Sequence, residues 1–323
     1  MLKRKGIYYL LIFLGIAALI LVSAGCGSKQ EKYPTKPINV IVAYAAGGGT
    51  DVGARTLLPY VEKILGQQMI VVNKPGGGGW VGWSELAQAK PDGYTIGYIN
   101  TPNLMTGYLD PNLKNPHNLS SFVPIANHVV DPGAIAVKKD SPFKDIKDII
   151  EAAKKNPGKV SVTSTGVGSD DHLAAIAIER QTGAKFNVIH SKGFADNLTA
   201  VLGGHVDVLF GNVGEVYGPF KDGSIRVLAV MTEQRVEEFP DVPTLKELGI
   251  NVVSHSARGL AAPKGTPKEI IDILAKAFKQ GIENPEHVEK MKKLGLYVKY
   301  MGPEEYKRFL EEEERKVKEL MGW

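Results

Sequence analysis

Cysteine is almost absent from this sequence, which carries a single one, Cys26, in 323 residues. The chain therefore forms no internal disulfide, and its stability must come from burial and hydrogen bonding. A basic surplus is missing as well: the 39 basic residues include Lys3, Arg4 and Lys5, and the remaining 36 face 35 acidic ones. We expect no nucleic acid as a partner. The seven histidines show no H-E-x-x-H or similar spacing, so we expect no metal and no cofactor.

Long apolar runs are scarce too, since residues 7–22 form one and no later run is long enough to span a bilayer. Cations precede this run and small residues follow it, which is typical of an export signal. Cys26 at its end resembles the cysteine of a bacterial lipobox, which is lipidated and becomes the mature N-terminus, although Ser23 stands where that pattern prefers leucine. The alternative is an uncleaved membrane anchor with an incidental cysteine. Both interpretations predict a body tethered to the membrane outside the cytoplasm, in a periplasm or on the outer face of the plasma membrane.

What the sequence does contain is an opening unit at residues 38–55. A β-branched run predicts a buried strand, residues 45–51 form a first glycine loop, and Thr50 or Asp51 is expected to cap the helix that follows. The first N–H groups of a helix lack partners and the helix dipole adds positive charge, so this unit predicts a site for a carboxylate or phosphate. The alternative is a structural turn without a ligand.

A second copy of this unit follows at residues 160–182: a strand, a second glycine loop (residues 163–172) and an acid-capped helix. The β-α-β-α-β order of residues 38–100 predicts an α/β fold with doubly wound, mainly parallel sheets. Residues 252–263 are interpreted as a crossover strand that returns to the first domain, and residues 266–269 as a capping box. Because ligands lie at the carboxyl ends of such strands, the two loops would close on one small anion from two sides.

Enzyme motifs are weak in this chain. Residues 77–82 match G-x-G-x-x-G, but the strand that follows ends at Asn100, where a dinucleotide site needs an acid. Ser169 with His172 or His190 would suit a hydrolase, yet no G-x-S-x-G elbow exists. An exported α/β enzyme, such as a hydrolase acting on a small carboxylate or ester, stays the alternative to a binding protein. A structural surface lipoprotein without a ligand is a third possibility.

Seven motifs in a fixed order carry a resemblance that covers nearly the whole mature chain. They are YPTKPI (33–38), GGGTD (47–51), NKPGGGG (73–79), PDGYT (91–95), LGGHVD (202–207), PDVPT (240–244) and APKGTP (262–267). In these motifs the chain resembles the substrate-binding receptors of tripartite tricarboxylate transporters, the Bug family. The resemblance implies a two-lobed periplasmic-binding-protein fold, type II-like, in a monomer without catalytic activity. It also implies that a small carboxylate, favoured as a dicarboxylate or tricarboxylate, is delivered to a permease of one large and one small subunit.

The resemblance further implies a division of the chain. We expect a lipoprotein signal peptide at 1–25, a lipidated tether at 26–36, lobe 1 at 37–132 and 256–323, and lobe 2 at 133–255. The ligand residues carried over from the family are Ala46, Gly47, Gly48, Gly49, Thr50, Asp51, Asn100 and Thr101 in lobe 1, and Ser164, Thr165, Gly168, Ser169, His172 and Asn212 in lobe 2.

Arg258 departs from the family pattern, because many members have a tryptophan at this point of the crossover. An arginine there would clamp a second carboxylate with two hydrogen bonds. The alternative is that Arg258 pairs with a surface acid and does nothing for the ligand. The sequence leaves both open.

Overall fold

The computed structural model of the protein describes residues 33–323, so the predicted signal peptide, Cys26 and most of the tether lie outside it. Residues 36–323 pack together as one unit. Within the described range no helix is both long enough and apolar enough to cross a membrane.

Strands and helices alternate along most of this range. The strands are β1 (Ile38–Val42), β2 (Met69–Asn73), β3 (Thr95–Thr101), β4 (Phe122–Lys138), β5 (Val160–Ser164), β6 (Phe186–His190), β7 (Leu209–Asn212), β8 (Ile225–Val230), β9 (His255–Pro263) and β10 (Val298–Met301). The α-helices are α1 (Gly49–Leu65), α2 (Trp80–Gln88), α3 (Asn103–Leu109), α4 (Ile146–Lys155), α5 (Asp170–Thr182), α6 (Phe194–Leu202), α7 (Val213–Lys221), α8 (Lys268–Ile282), α9 (Pro285–Lys293) and α10 (Pro303–Met321).

The first three strands form the parallel part of the main sheet. Strand β1 lies between β2 and β3, with Ile38 opposite Met69 and Val40 opposite Ile96. Its apolar side chains are fully buried, as the β-branched run predicts. Trp83 of α2 packs into the core beneath these strands, and its indole N–H donates to the backbone oxygen of Tyr98. This β-α-β-α-β unit places the carboxyl ends of β1 and β3 at one edge of the sheet.

Strand β4 is the longest, at 17 residues, and it joins the two halves of the sheet. From Phe122 to Pro132 it pairs antiparallel with β9, and from Gly133 onward it pairs with β7 and β8. The apolar segments at residues 122–125 and 134–137 are two separate runs in the sequence, and the structure joins them into this one strand. The structure accommodates Pro124 beside a register shift of the β4–β9 ladder and places Pro132 where β4 changes partners.

The second half of the chain builds a smaller parallel pair. Strand β5 pairs with β6, and Val162 of β5 also bridges in parallel to Val208, so the carboxyl ends of β5 and β7 point the same way. A second hydrophobic core, which includes Ile135 and Phe210, lies on this part of the sheet and is separate from the core around Trp83. The architecture is α/β with a mixed sheet, because β4 and β9 add antiparallel pairs to the parallel units.

Two predicted helix caps are wrong. Helix α1 has Gly48 at its N-cap with no side-chain hydrogen bond, so neither Thr50 nor Asp51 caps it; both lie in the first turn. Helix α8 begins at Lys268 with Pro267 at its N-cap, so the predicted capping box at residues 266–269 does not form. The Thr266 hydroxyl instead donates to the backbone oxygen of Pro263 at 2.8 Å.

Candidate functional site

A small cavity, about 40 Å³ in volume, lies where the carboxyl ends of the parallel strands meet. The loops that leave β1, β3, β5 and β7 all contribute to its wall, as expected for an open α/β sheet. The predicted ligand residues that line it are Ala46, Gly48, Gly49, Thr50, Asn100, Thr165, Asn212 and Arg258. The lining residues that the sequence analysis missed are Tyr44, Ala45, Asn103, Asp170, Glu215, Ser256 and residues 193–196.

Two helix N-termini without side-chain caps open on this cavity. Helix α1 begins after Gly48 and helix α6 begins after Gly193, and neither N-cap residue offers a side-chain acceptor. The Gly49 N–H of α1 donates to Glu215 Oε1 at 3.3 Å, so the next N–H groups of α1 and the first N–H groups of α6 are left for another acceptor. The helix dipoles favour a negative charge there. The pair is a suitable site for a carboxylate.

Gly49, the first residue of α1, lies directly against Arg258. A Cβ atom at Gly49 would come within 2.5 Å of Arg258 Nη1, so only glycine allows this approach. The guanidinium is 3 % exposed. Its Nη1 donates to Asp131 Oδ2 at 2.8 Å and its Nη2 to Asn212 Oδ1 at 3.0 Å. Arg258 is therefore paired with an acid of the protein, one that is buried in the sheet rather than on the surface.

Further acids surround this arginine. Glu215 Oε1 accepts from the Gly49 N–H at 3.3 Å and lies 3.6 Å from Arg258 Nη2. Burial raises the pKa of Glu215 to about 7, although the Arg258 charge opposes the shift. Burial likewise raises the pKa of Asp131 to about 6 and that of Asp170 above its usual value. The one guanidinium in the cavity wall thus faces several carboxyl groups.

The hydrogen-bonding groups of the second glycine loop are mostly paired with one another. The Gly168 N–H donates to His172 Nδ1 at 2.9 Å, and Ser169 caps α5 by accepting from the His172 N–H. Ser164 donates to the backbone oxygen of Gly166 and bonds to the Ser169 hydroxyl. Ser164, Gly168, Ser169 and His172 therefore satisfy one another and do not line the cavity. Thr165 does line it, but its N–H and hydroxyl both donate to Asp171.

Three predicted residues of lobe 1 also lie away from the cavity. Gly47 donates its N–H to Asp51 Oδ2 at 3.0 Å, and Asp51 pairs with Arg55 at 3.0 Å. Burial alone would raise the pKa of Asp51, but hydrogen bonds from Arg55, Gly47 and Asn73 lower it. Thr101 is fully buried at the end of β3. Asp51 therefore holds the first glycine loop against α1 through its hydrogen bond from Gly47 and its ion pair with Arg55.

Asn100 and Asn103 also line this cavity. The Asn100 amide donates to Thr50 Oγ1 and the Asn103 amide to the Tyr44 hydroxyl, each at 2.8 Å. Within residues 33–323, neither side-chain oxygen has a hydrogen-bond partner, although both residues are buried. No group of three acidic, histidine or cysteine side chains in this range could hold a metal ion.

Comparison with known proteins gives a consistent result. The family model described as "Tripartite tricarboxylate transporter family receptor" matches residues 54–322. The UPF0065 protein in the gbd 5′ region of Cupriavidus necator is 35% identical over 307 residues, which are 94% of this chain and 92% of the other.

Solved structures show the same likeness in three dimensions. The periplasmic binding protein BugD is 33% identical, with a TM-score of 0.83 over 90% of this chain and 98% of that one. R. palustris Rpa4515, solved with adipate, is 25% identical with a TM-score of 0.81 over 90% and 98%. These likenesses confirm the predicted α/β fold class of a two-lobed periplasmic binding protein.

Proposed function

Because the chain belongs to the tripartite tricarboxylate transporter receptor family, the Bug family of the sequence analysis, we propose that it binds a small carboxylate in this cavity and delivers it to a permease of one large and one small subunit. The chain is an extracytoplasmic solute receptor. Membership of this family confirms the prediction that it is not an enzyme.

The observation that carries the proposal is the pair of uncapped helix N-termini, α1 at Gly48 and α6 at Gly193, on one cavity. A carboxylate placed there accepts from backbone N–H groups of two separate parts of the chain. Arg258 adds one donor, because its buried Nε–H has no partner within the described residues. The adipate bound to the R. palustris relative supports a dicarboxylate as the first ligand to test, with tricarboxylates beside it.

The division into lobe 1 (37–132 and 256–323) and lobe 2 (133–255) is part of the proposal. The change of partners in β4 at Pro132 and Gly133 supports it. The Thr106 hydroxyl of α3 donates to the backbone oxygen of Gly168 at 2.7 Å, which would join the two lobes beside the cavity. Ligand binding would favour the closed state because that state alone brings both helix N-termini to the ligand.

We also propose that the receptor is a monomer held at the membrane by a lipid on Cys26. The basic and apolar N-terminal segment, with a cysteine after small residues, supports the lipid anchor. Metabolic labelling with a fatty acid tests it: label is expected in the wild-type chain and none in Cys26→Ser. Label in neither protein would contradict the anchor.

Ligand binding is tested by thermal melting of the full chain, purified in mild detergent, with monocarboxylates, dicarboxylates, tricarboxylates and nucleotides. A ligand at about 100 times its Kd stabilises the folded state by about 2.7 kcal/mol, which gives a clear rise in Tm. We expect such a rise with one class of carboxylate and none with nucleotides. No rise with any acid, or a rise with nucleotides alone, would refute the proposal.

A further inference from the structure

The cavity wall contains more hydrogen-bond acceptors than a plain carboxylate can use. Asn100 and Asn103 are 3 % and 6 % exposed, and their amide N–H groups are already engaged with Thr50 and Tyr44. Both residues line the cavity, and their buried side-chain oxygens have no partner among the described residues. Buried polar atoms in native proteins are nearly always paired, so these two oxygens point to a ligand that donates hydrogen bonds.

The charged residues that line the cavity also favour a ligand that donates hydrogen bonds. Asp170, Asp196 and Glu215 line the cavity, and Arg258 is the one cation among the lining residues. That cation is offset by Asp131, which lies behind it at 2.8 Å. A ligand with two carboxylates and no cation would place its second negative charge beside acids that have no free cation to balance them.

The acids that line the cavity can accept further hydrogen bonds. Asp170 accepts from the Asn212 amide at 2.8 Å, and Glu215 accepts from two backbone N–H groups, those of Gly49 and Asn212. An ionised carboxylate has about four acceptor positions, and Glu215, which is mostly ionised above its raised pKa of about 7, then retains capacity for a further donor. An ammonium group has three donors and no acceptor, which suits a wall of carboxylate and amide oxygens.

We propose that the natural ligand is an amino carboxylate: its carboxylate lies at the N-termini of α1 and α6, and its ammonium group, beside Asp170, donates to Glu215 and to the Asn100 and Asn103 oxygens. This inference rests on the proposed function and narrows its ligand class. It goes beyond a carboxylate receptor because it requires a second, positively charged recognition group on the solute.

Isothermal titration calorimetry of the full wild-type chain with matched pairs tests it: succinate against aspartate, glutarate against glutamate, and adipate against 2-aminoadipate. The members of each pair differ by one amino group. We expect the amino member of the best pair to bind at least about 10-fold more tightly. Equal or tighter binding of the member without an amino group would overturn this inference and leave the carboxylate receptor intact. No binding of any pair would overturn this inference, and if no carboxylate of the melting panel raised Tm either, the proposed function would fall with it.

Glu215→Gln identifies the receiving group. Glutamine keeps the shape of Glu215 and its place in the N-terminal capping box of α7, but removes the charge. We expect the amino-group preference to fall about 10-fold in Glu215→Gln and to stay unchanged in Glu311→Gln, a matched control on the exposed face of α10. An unchanged preference in folded Glu215→Gln would overturn the assignment. The matched-pair result on the wild-type chain stands even if this variant does not fold.

Discussion

The first and second glycine loops look like copies in the sequence, but the structure gives them different tasks. The first leads into a helix with no side-chain cap and lines the cavity. The second leads into a helix capped by Ser169, and its Gly168 amide is occupied by His172. The N-terminus of α1 is not empty, because Glu215 accepts from the Gly49 N–H at 3.3 Å, but it differs from that of α5 in that its own N-cap residue supplies no side-chain cap.

Residues 193–196, at the start of α6, line the cavity where the sequence predicted that the second glycine loop would lie. Gly193 is the N-cap there and has no side chain to offer. The sequence does contain this signal, since Gly193 directly precedes Phe194 of α6 and the nearest serine, Ser191, bonds to Gly193 itself rather than to the helix. The signal is the missing cap, and glycine content alone does not reveal it.

We expect the largest effect from a substitution at Gly49, in the first glycine loop. Gly49→Ala would drive a methyl group into the Arg258 guanidinium, displacing it from Asp131. Breaking a buried ion pair costs about 3 kcal/mol, so we expect a large fall in Tm together with loss of carboxylate binding. Gly48→Ala is the matched control, because its Cβ would meet only the Ala45 oxygen at 3.6 Å. A Tm unchanged by Gly49→Ala would show that this contact is not needed.

The second prediction adds a side-chain cap to α6, which lacks one, whereas Ser169 already caps α5. Gly193→Asp would place a carboxylate at the N-cap of α6, where the ligand carboxylate is proposed to bind, and open space surrounds the new Cβ. We expect affinity for the best carboxylate to fall about 10-fold to 100-fold while Tm is kept or raised. Calorimetry and melting measure the two effects, with Gly193→Ala as the control. Unchanged affinity in Gly193→Asp would remove α6 from the site.

The fold was more predictable than the site. Short β-branched runs and glycine turns predicted β1, α1, β2, α2 and β3 because these signals are local. Helix α7 was missed because it contains Gly214, Gly218 and Pro219, which weaken any helical pattern. Its glycine at 214 is explained only by the tertiary fold, since a Cβ there would lie 2.4 Å from a side-chain carbon of Leu296.

The polar part of the site depends on pairs that are remote in the chain. Arg258 and Asp131 are separated by 127 positions, and Glu215 and Gly49 by 166. No periodicity reports such contacts. The resemblance supplied Asn100, Asn212 and most of the first glycine loop, which line the cavity. It also supplied residues that do not: Gly47, Asp51, Thr101, Ser164, Gly168, Ser169 and His172. It gave no hint of Asp170 and Glu215.

The third prediction uses the acid that lies opposite the first loop. Glu215 has a pKa raised to about 7 by burial; Arg258 from β9 opposes this shift, while Asp131 from β4 and Asp170 from α5 add to it. Glu215 is therefore mostly protonated below this pKa and mostly ionised above it. Ionised Glu215 repels a plain dicarboxylate and attracts an ammonium group.

Between about pH 6 and about pH 8 we expect affinity for the plain acid to fall and affinity for its amino partner to rise, each by up to about 10-fold. Titration of the same matched pair across this range measures both trends. Parallel trends for the two ligands would show that Glu215 does not face the amino group. Glu215→Gln should flatten both curves.

The smallest effect sharpens the contrast between the two loops. Ser169→Ala removes the side chain that caps α5, which costs about 1 kcal/mol of stability. Because Ser169 lies outside the cavity wall, we expect a modest fall in Tm and a Kd for the best carboxylate that stays within about twofold of the wild-type value. Ser169→Thr, which keeps a hydroxyl, should restore the stability. A fall in affinity with little change in Tm would mean that the second glycine loop contacts the ligand, and the contrast between the two loops would be wrong.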